Sequence, residues 1–66
     1  LKMENIFNFS AVTADGVEVV AKVKPNGKYF NGQVFINRKL WVNFSWTDFL
    51  GALNPVIDVL HKIKFD

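Results

Sequence analysis

Apolar and polar residues alternate through residues 5–44, and turn residues interrupt the alternation at three places: Asp15-Gly16, Pro25-Asn26-Gly27 and Asn37-Arg38-Lys39. Period-two patterning broken by such clusters predicts strands joined by hairpins. This constrains the chain most, because one face of every strand must then find a cover. The strands are expected at about residues 5–12, 17–24, 28–36 and 40–44.

Loop length follows from asking which register sets apolar residues opposite apolar residues. A two-residue Asp15-Gly16 loop would oppose Phe9 with Lys22, whereas a three-residue Ala14-Asp15-Gly16 loop pairs Phe9 with Ala21, Ala11 with Val19 and Phe7 with Val23. It also places Gly16 where a left-handed residue is needed. At the second turn an Asn26-Gly27 type I′ loop pairs Val23 with Phe30, Val19 with Val34 and Val17 with Ile36. A loop of Asn37, Arg38 and Lys39 pairs Ile36 with Leu40 and Val34 with Val42 at the third. The inner face is then Phe7, Phe9, Ala11, Val17, Val19, Ala21, Val23, Phe30, Val34, Ile36, Leu40, Val42 and Phe44. Gly32 falls on the same face and marks either a bulge or a close helix contact. An Asn31-Gly32 turn is rejected, since it leaves only three residues after Gly27.

The cover is a helix at residues 46–64. Ser45 is the expected N-cap, with Asp48 three residues on as a capping-box partner. Trp46, Phe49, Leu50, Leu53, Val56, Ile57, Leu60 and Ile63 keep the helical spacing. Pro55 either kinks this helix or splits it, with Asn54 capping the second half. The fold class is therefore α+β: a four-stranded antiparallel β-meander followed by a C-terminal helix, in one domain spanning residues 1–66.

Composition limits what such a domain does. The chain has 66 residues and no cysteine, so disulfides and thiolate metal sites are excluded, and His61 alone builds no metal site. A chain near this size buries only about 60% of its unfolded surface. Half the residues are apolar, so oligomerisation is the expected supplement, with a two-fold dimer as the default. No apolar run reaches a membrane span and no leader pattern is present. Leu1 and Lys2 ahead of Met3 read as additions before the natural start, and cytoplasmic location (host cytoplasm if phage-encoded) is expected. No nucleophile elbow, P-loop or dinucleotide motif occurs, and no two carboxylates are placed by a recognisable motif. Asp48, Asp58 and His61 read as helix residues, and Lys62 and Lys64 oppose the helix dipole. An enzyme is not expected, nor a cofactor, metal or small-molecule substrate.

Charge distribution points to a partner. The net charge is only +2, but Val19–Thr47 contains no acid and holds Lys22, Lys24, Lys28, Arg38 and Lys39. The expected register puts Tyr29, Phe35 and Trp41 on the face away from the helix, with Lys22, Lys24, Gln33 and Asn43. In that register Phe35 stands opposite Trp41, Lys24 opposite Tyr29 and Gln33 opposite Asn43. Basic side chains neutralise phosphates with release of counterions, and aromatic faces stack on unpaired bases. The expected nucleic-acid-binding residues are thus Lys22, Lys24, Lys28, Tyr29, Gln33, Phe35, Arg38, Lys39, Trp41 and Asn43. The alternative is a small protein-interaction module, for instance a phage-type inhibitor, using the same aromatic patch. Interfaces are depleted in lysine, which favours nucleic acid.

The order of elements, with Val42-Asn43-Phe44-Ser45-Trp46-Thr47-Asp48-Phe49-Leu50 leading into Leu53, Ile57 and Leu60, resembles the single-stranded-DNA-binding domain of the transcriptional coactivator PC4 family. The resemblance covers roughly Phe7 to Ile63 and is one of pattern. It implies a homodimer assembled largely through the helix side, binding single-stranded DNA or RNA in a basic, aromatic channel. It also implies binding residues at the positions of Lys22, Lys24, Lys28, Tyr29, Phe35 and Trp41. Arg38 and Lys39 replace a more glycine-rich basic stretch of that family, and Pro55 has no expected counterpart. Such a compact version suits a phage or prokaryotic protein of transcription or replication.

Overall fold

The computed structural model of the protein describes residues 7–65. Four antiparallel strands, β1 (Phe7–Val12), β2 (Glu18–Asn26), β3 (Tyr29–Ile36) and β4 (Lys39–Trp46), lie side by side in chain order and are followed by one helix, α1 (Phe49–His61). This is the expected α+β meander and helix. The start of the first strand, expected at residues 5 and 6, lies outside the described residues.

The first hairpin has the expected three-residue loop. Phe7, Phe9 and Ala11 face Val23, Ala21 and Val19. Thr13 closes the loop: its N–H donates to the Val17 carbonyl at 2.9 Å, and its Oγ1 accepts from the Val17 N–H at 3.1 Å. Gly16 supplies the left-handed residue, with φ 84°.

The second hairpin differs from expectation by two residues. Asn26 pairs with Tyr29, so the loop is Gly27-Lys28 rather than Asn26-Gly27. Gly27 has φ 64° and Lys28 is not left-handed, the type II′ pattern, which wants glycine first. Val23 therefore faces Gly32 instead of Phe30, and Ala21 faces Val34. A slip of two leaves every side chain on its expected face.

The third hairpin is tighter than expected. Asn37 and Arg38 form a two-residue loop with φ 50° and 70°, a type I′ pattern, and Lys39 pairs with Ile36. Beyond it a β-bulge at Val34/Phe35 absorbs Trp41, after which Val34 faces Val42 and Gln33 faces Asn43 as expected. Leu40, expected inside, stands opposite Phe35 on the outer face and is 54% exposed.

The helix starts later than expected. β4 continues through Ser45 and Trp46, and Asp48 is the N-cap, its Oδ1 accepting from the Gly51 N–H at 2.7 Å. Ser45 is thus a strand residue. The helix passes through Pro55 without dividing and ends at His61, not residue 64. Its buried line is Ala52, Val56 and Leu60, set against Val19, Ala21, Val23 and Val34 of the sheet. Burial of each valine or leucine side chain favours folding by about 1.5–3 kcal/mol. Leu50, expected on this stripe, points outward and is 61% exposed.

Two glycines fix how closely the layers approach. A Cβ on Gly32 would lie 2.6 Å from the Ala52 carbonyl oxygen and 2.7 Å from Val56 Cγ2. Gly32 therefore marks the close helix contact, on the middle of β3. A Cβ on Gly51 would run into the Trp46 ring, so Trp46 occupies the helix–sheet seam as the last residue of β4 rather than the first of the helix. Past the helix, Phe65 bridges to Thr13 and meets the Phe9 ring edge-on at 5.6 Å.

Candidate nucleic-acid interface

The face of the sheet away from α1 is ordered by the three registers into cross-strand rows. Ser10, Val20, Phe35 and Leu40 form one row, and Asn8, Lys22, Gln33 and Asn43 the next. Lys24, Asn31 and Ser45 follow, and Asn26 and Tyr29 close the face at the second turn. Val12 and Glu18 stand at the opposite end. The surface is thus apolar towards the first and third turns, amide-rich in the middle and basic-aromatic at the second turn.

Six expected site residues are gathered here: Lys22, Lys24, Tyr29, Gln33, Phe35 and Asn43. Lys28 occupies the second position of the adjoining loop, beside Tyr29. Tyr29 is the more open aromatic, 48% exposed. Phe35 is half-buried, and the Lys22 ammonium lies 5.2 Å from its ring centroid, a cation–π contact. Six residues apart on one strand, the two rings stand about 20 Å apart, too far for one base to touch both. Lys24 faces Asn31 rather than Tyr29, because of the two-residue slip.

The remaining three expected residues lie elsewhere. Arg38 Nε donates to Glu18 Oε1 at 3.3 Å. Glu18 also binds the turn: its backbone N–H donates to Asn37 Oδ1 at 3.1 Å, and its carbonyl accepts from the Asn37 N–H at 2.8 Å. An exposed pair of this kind contributes about 0–1 kcal/mol, so its main effect on the surface is neutralisation. Glu18 is the only carboxylate on the outer face among the described residues, and Arg38 matches it. Lys39 pairs with Ile36 and so belongs to the helix side.

Trp41 requires a larger correction. It does not pair with Phe35, whose partner is Leu40. The tighter third turn puts it on the helix side, where with Val17, Val19, Ile36 and Ile63 it lines an open cavity of about 430 Å³. The expected Phe35–Trp41 platform is therefore absent. Sequence reasoning missed Ser45, taken for a helix cap, and Asn26, taken for a turn residue. Both carry polar groups on the outer face, and only the register shows it.

The carboxylates Asp48 and Asp58 belong to the helix, and Asp15 lines the helix-side cavity. These three carboxylates thus lie away from Lys22 and Lys24. Among the described residues, no three His, Asp or Glu side chains converge to hold a metal ion, and no helix is long and apolar enough to cross a membrane.

No family model, curated protein or solved structure matches this chain.

Proposed function

We propose that the protein binds single-stranded nucleic acid, DNA foremost, on the outer face of its sheet and with little sequence preference. The observation that carries this reading is the charge segregation. Lys22 and Lys24 stand on a surface whose one carboxylate among the described residues, Glu18, is held by Arg38. Around them the amides of Asn8, Asn31, Gln33 and Asn43 offer donors and acceptors to sugars and base edges. Tyr29 supplies an open stacking ring, and Lys28 a further cation beside it. The meander-then-helix order is also what the resemblance to the PC4 family implies.

The test is fluorescence anisotropy of a labelled mixed-sequence oligonucleotide at several salt concentrations, with DNA and RNA arms. Affinity falls steeply with salt, since each single-strand phosphate contact contributes a slope of about −0.7. Replacing Lys22 and Lys24 with Ala lowers that slope by about 1.4. Tyr29→Ala weakens binding by about 5- to 150-fold, the equivalent of roughly 1–3 kcal/mol of stacking. Absence of binding at low salt refutes the reading.

A second reading rests on a separate observation. Val12 and Leu40 are each more than half exposed at the apolar end of the face, beside Val20 and Phe35. That end suits a protein partner, and a wild-type chain that ignores oligonucleotides gives this reading the lead.

A further inference from the structure

We propose that β4 pairs edge to edge with β4 of a second copy of this chain, about a two-fold axis at Phe44. The two four-stranded sheets then join into one.

The strand order leaves two edges, β1 and β4. Beyond the end of β1, Thr13 is bridged by Phe65. Nothing among the described residues pairs with the outer edge of β4. From Leu40 to Thr47 this edge has no charge and no proline, and Trp41 and Trp46 are 56% and 58% exposed. Chains that remain monomeric blunt such edges with lysine, proline, bulges or inward charges. Here Lys39 and the bulge at Trp41 lie together at one end, and the other five residues are a regular, unprotected strand.

That regular stretch, Val42–Trp46, also sets the register. Its midpoint is Phe44. A two-fold there pairs Phe44 with Phe44 of the partner subunit, Asn43 with Ser45 of the partner subunit, and Val42 with Trp46 of the partner subunit. Apolar residues meet on the helix side and polar residues meet on the outer side, as a continuous sheet requires. Centring the axis on Asn43 would instead oppose the bulged Trp41 to Ser45 of the partner subunit. Arg38 and Lys39 fall outside the paired stretch, so no like charges face each other.

A second copy is the occupant because the segment is complementary to itself and a two-fold is the commonest closed arrangement. The exposed side of α1 offers less, since it carries Asn54, Asp58, His61 and Lys62. Pairing also carries the Lys22–Gln33–Asn43 row across the axis, so that the outer faces of two subunits become one surface. The pairing itself does not depend on the nucleic-acid reading.

Analytical ultracentrifugation of the full chain, without nucleic acid, is the test. The expected mass is twice the 7.5 kDa of one chain. The variant N43K/S45K, changed only at exposed outer positions, sets lysine against lysine across the axis and is expected to sediment as a folded monomer. The variant N43K/S45E sets lysine against glutamate and restores the dimer. A wild-type monomer up to the solubility limit overturns the proposal, as does a dimer indifferent to N43K/S45K. Failure of N43K/S45E to restore the dimer overturns the axis at Phe44. Should N43K/S45K lose its circular dichroism spectrum, hydrogen exchange decides. Protection of residues 42–46 that rises with wild-type concentration supports the pairing, and concentration-independent protection overturns it.

Discussion

Gly32→Ala tests whether the helix rests on β3 as closely as described. The added Cβ would lie 2.6 Å from the Ala52 carbonyl oxygen and 2.7 Å from Val56 Cγ2, where ordinary contact begins near 3.4 Å. The first obstacle is backbone in the middle of a helix, so it does not swing aside as a side-chain tip would. The helix must lift by roughly 0.8 Å, and a radial gap of that size forfeits about a quarter to a half of each contact's dispersion energy. Overpacking of this kind costs about 1–3 kcal/mol. Against it, replacing glycine in a strand recovers about 0.5–1 kcal/mol of backbone entropy. With a rigid obstacle the upper half of the cost applies, leaving a net loss of about 1–2.5 kcal/mol. A core of this size rarely supplies more than about 3–5 kcal/mol, so the loss is a large share of the total. At about 4–8 °C per kcal/mol, Tm falls by roughly 4–20 °C. Thermal unfolding followed by far-ultraviolet circular dichroism reads this directly. An unchanged or raised Tm refutes the close approach, because a glycine with free space around it would gain from the substitution.

Two further changes probe the helix. Asp48→Ala removes the acceptor of the Gly51 N–H and lowers stability by about 1 kcal/mol, seen as a lower urea midpoint at constant m-value; Asp48→Asn keeps the cap and most of the stability. Pro55→Ala supplies an N–H for the Gly51 carbonyl and removes the ring clash with that turn, raising stability by about 1–3 kcal/mol. A lower melting temperature for that variant would show that the proline holds the helix on its path.

The faces of the strands were legible because alternation is a strong signal, and Val19, Ala21, Val23 and Val34 are buried as it implies. Loop length was less legible. Moving the second loop from Asn26-Gly27 to Gly27-Lys28 changes every partner but no face, so hydrophobic matching cannot detect it. At the third turn nothing in an arginine advertises a φ of 70°; Arg38 is held there by a loop whose neighbour Asn37 bonds to Glu18. Ser45 read as the cap with Asp48 as its capping-box partner; Asp48 is the cap instead, because Trp46 finds its place over Gly51 while still in the strand. Ala52 was missed because a small residue adds little to a hydrophobic stripe, although smallness is what lets the helix approach Gly32. The same limits shaped the candidate site. Lys22, Lys24, Tyr29, Gln33 and Phe35 depended only on faces and were gathered as expected, and Asn43 kept its face because the bulge offsets the tighter third turn. Arg38, Lys39 and Trp41 depended on the third turn and were not.

The bulge at Trp41 reconciles two demands that a plain hairpin cannot meet together. The two-residue Asn37-Arg38 loop sets Ile36 against Lys39 and Phe35 against Leu40. Continued without interruption, that register would oppose Val34 with Trp41 and Gln33 with Val42. Asn43 would then turn towards the helix and Phe44 towards solvent, reversing the rest of β4. One extra residue restores Val34 to Val42 and Gln33 to Asn43, so Phe44 returns to the core and the amide row stays intact. The accommodation falls on Trp41, the unpaired extra residue, which stays on the helix side beside the cavity. It also confines the irregular edge to the start of β4 and leaves Val42–Trp46 straight. The bulge that offsets the tight third turn thus leaves a regular edge on which a second subunit can extend the proposed binding face.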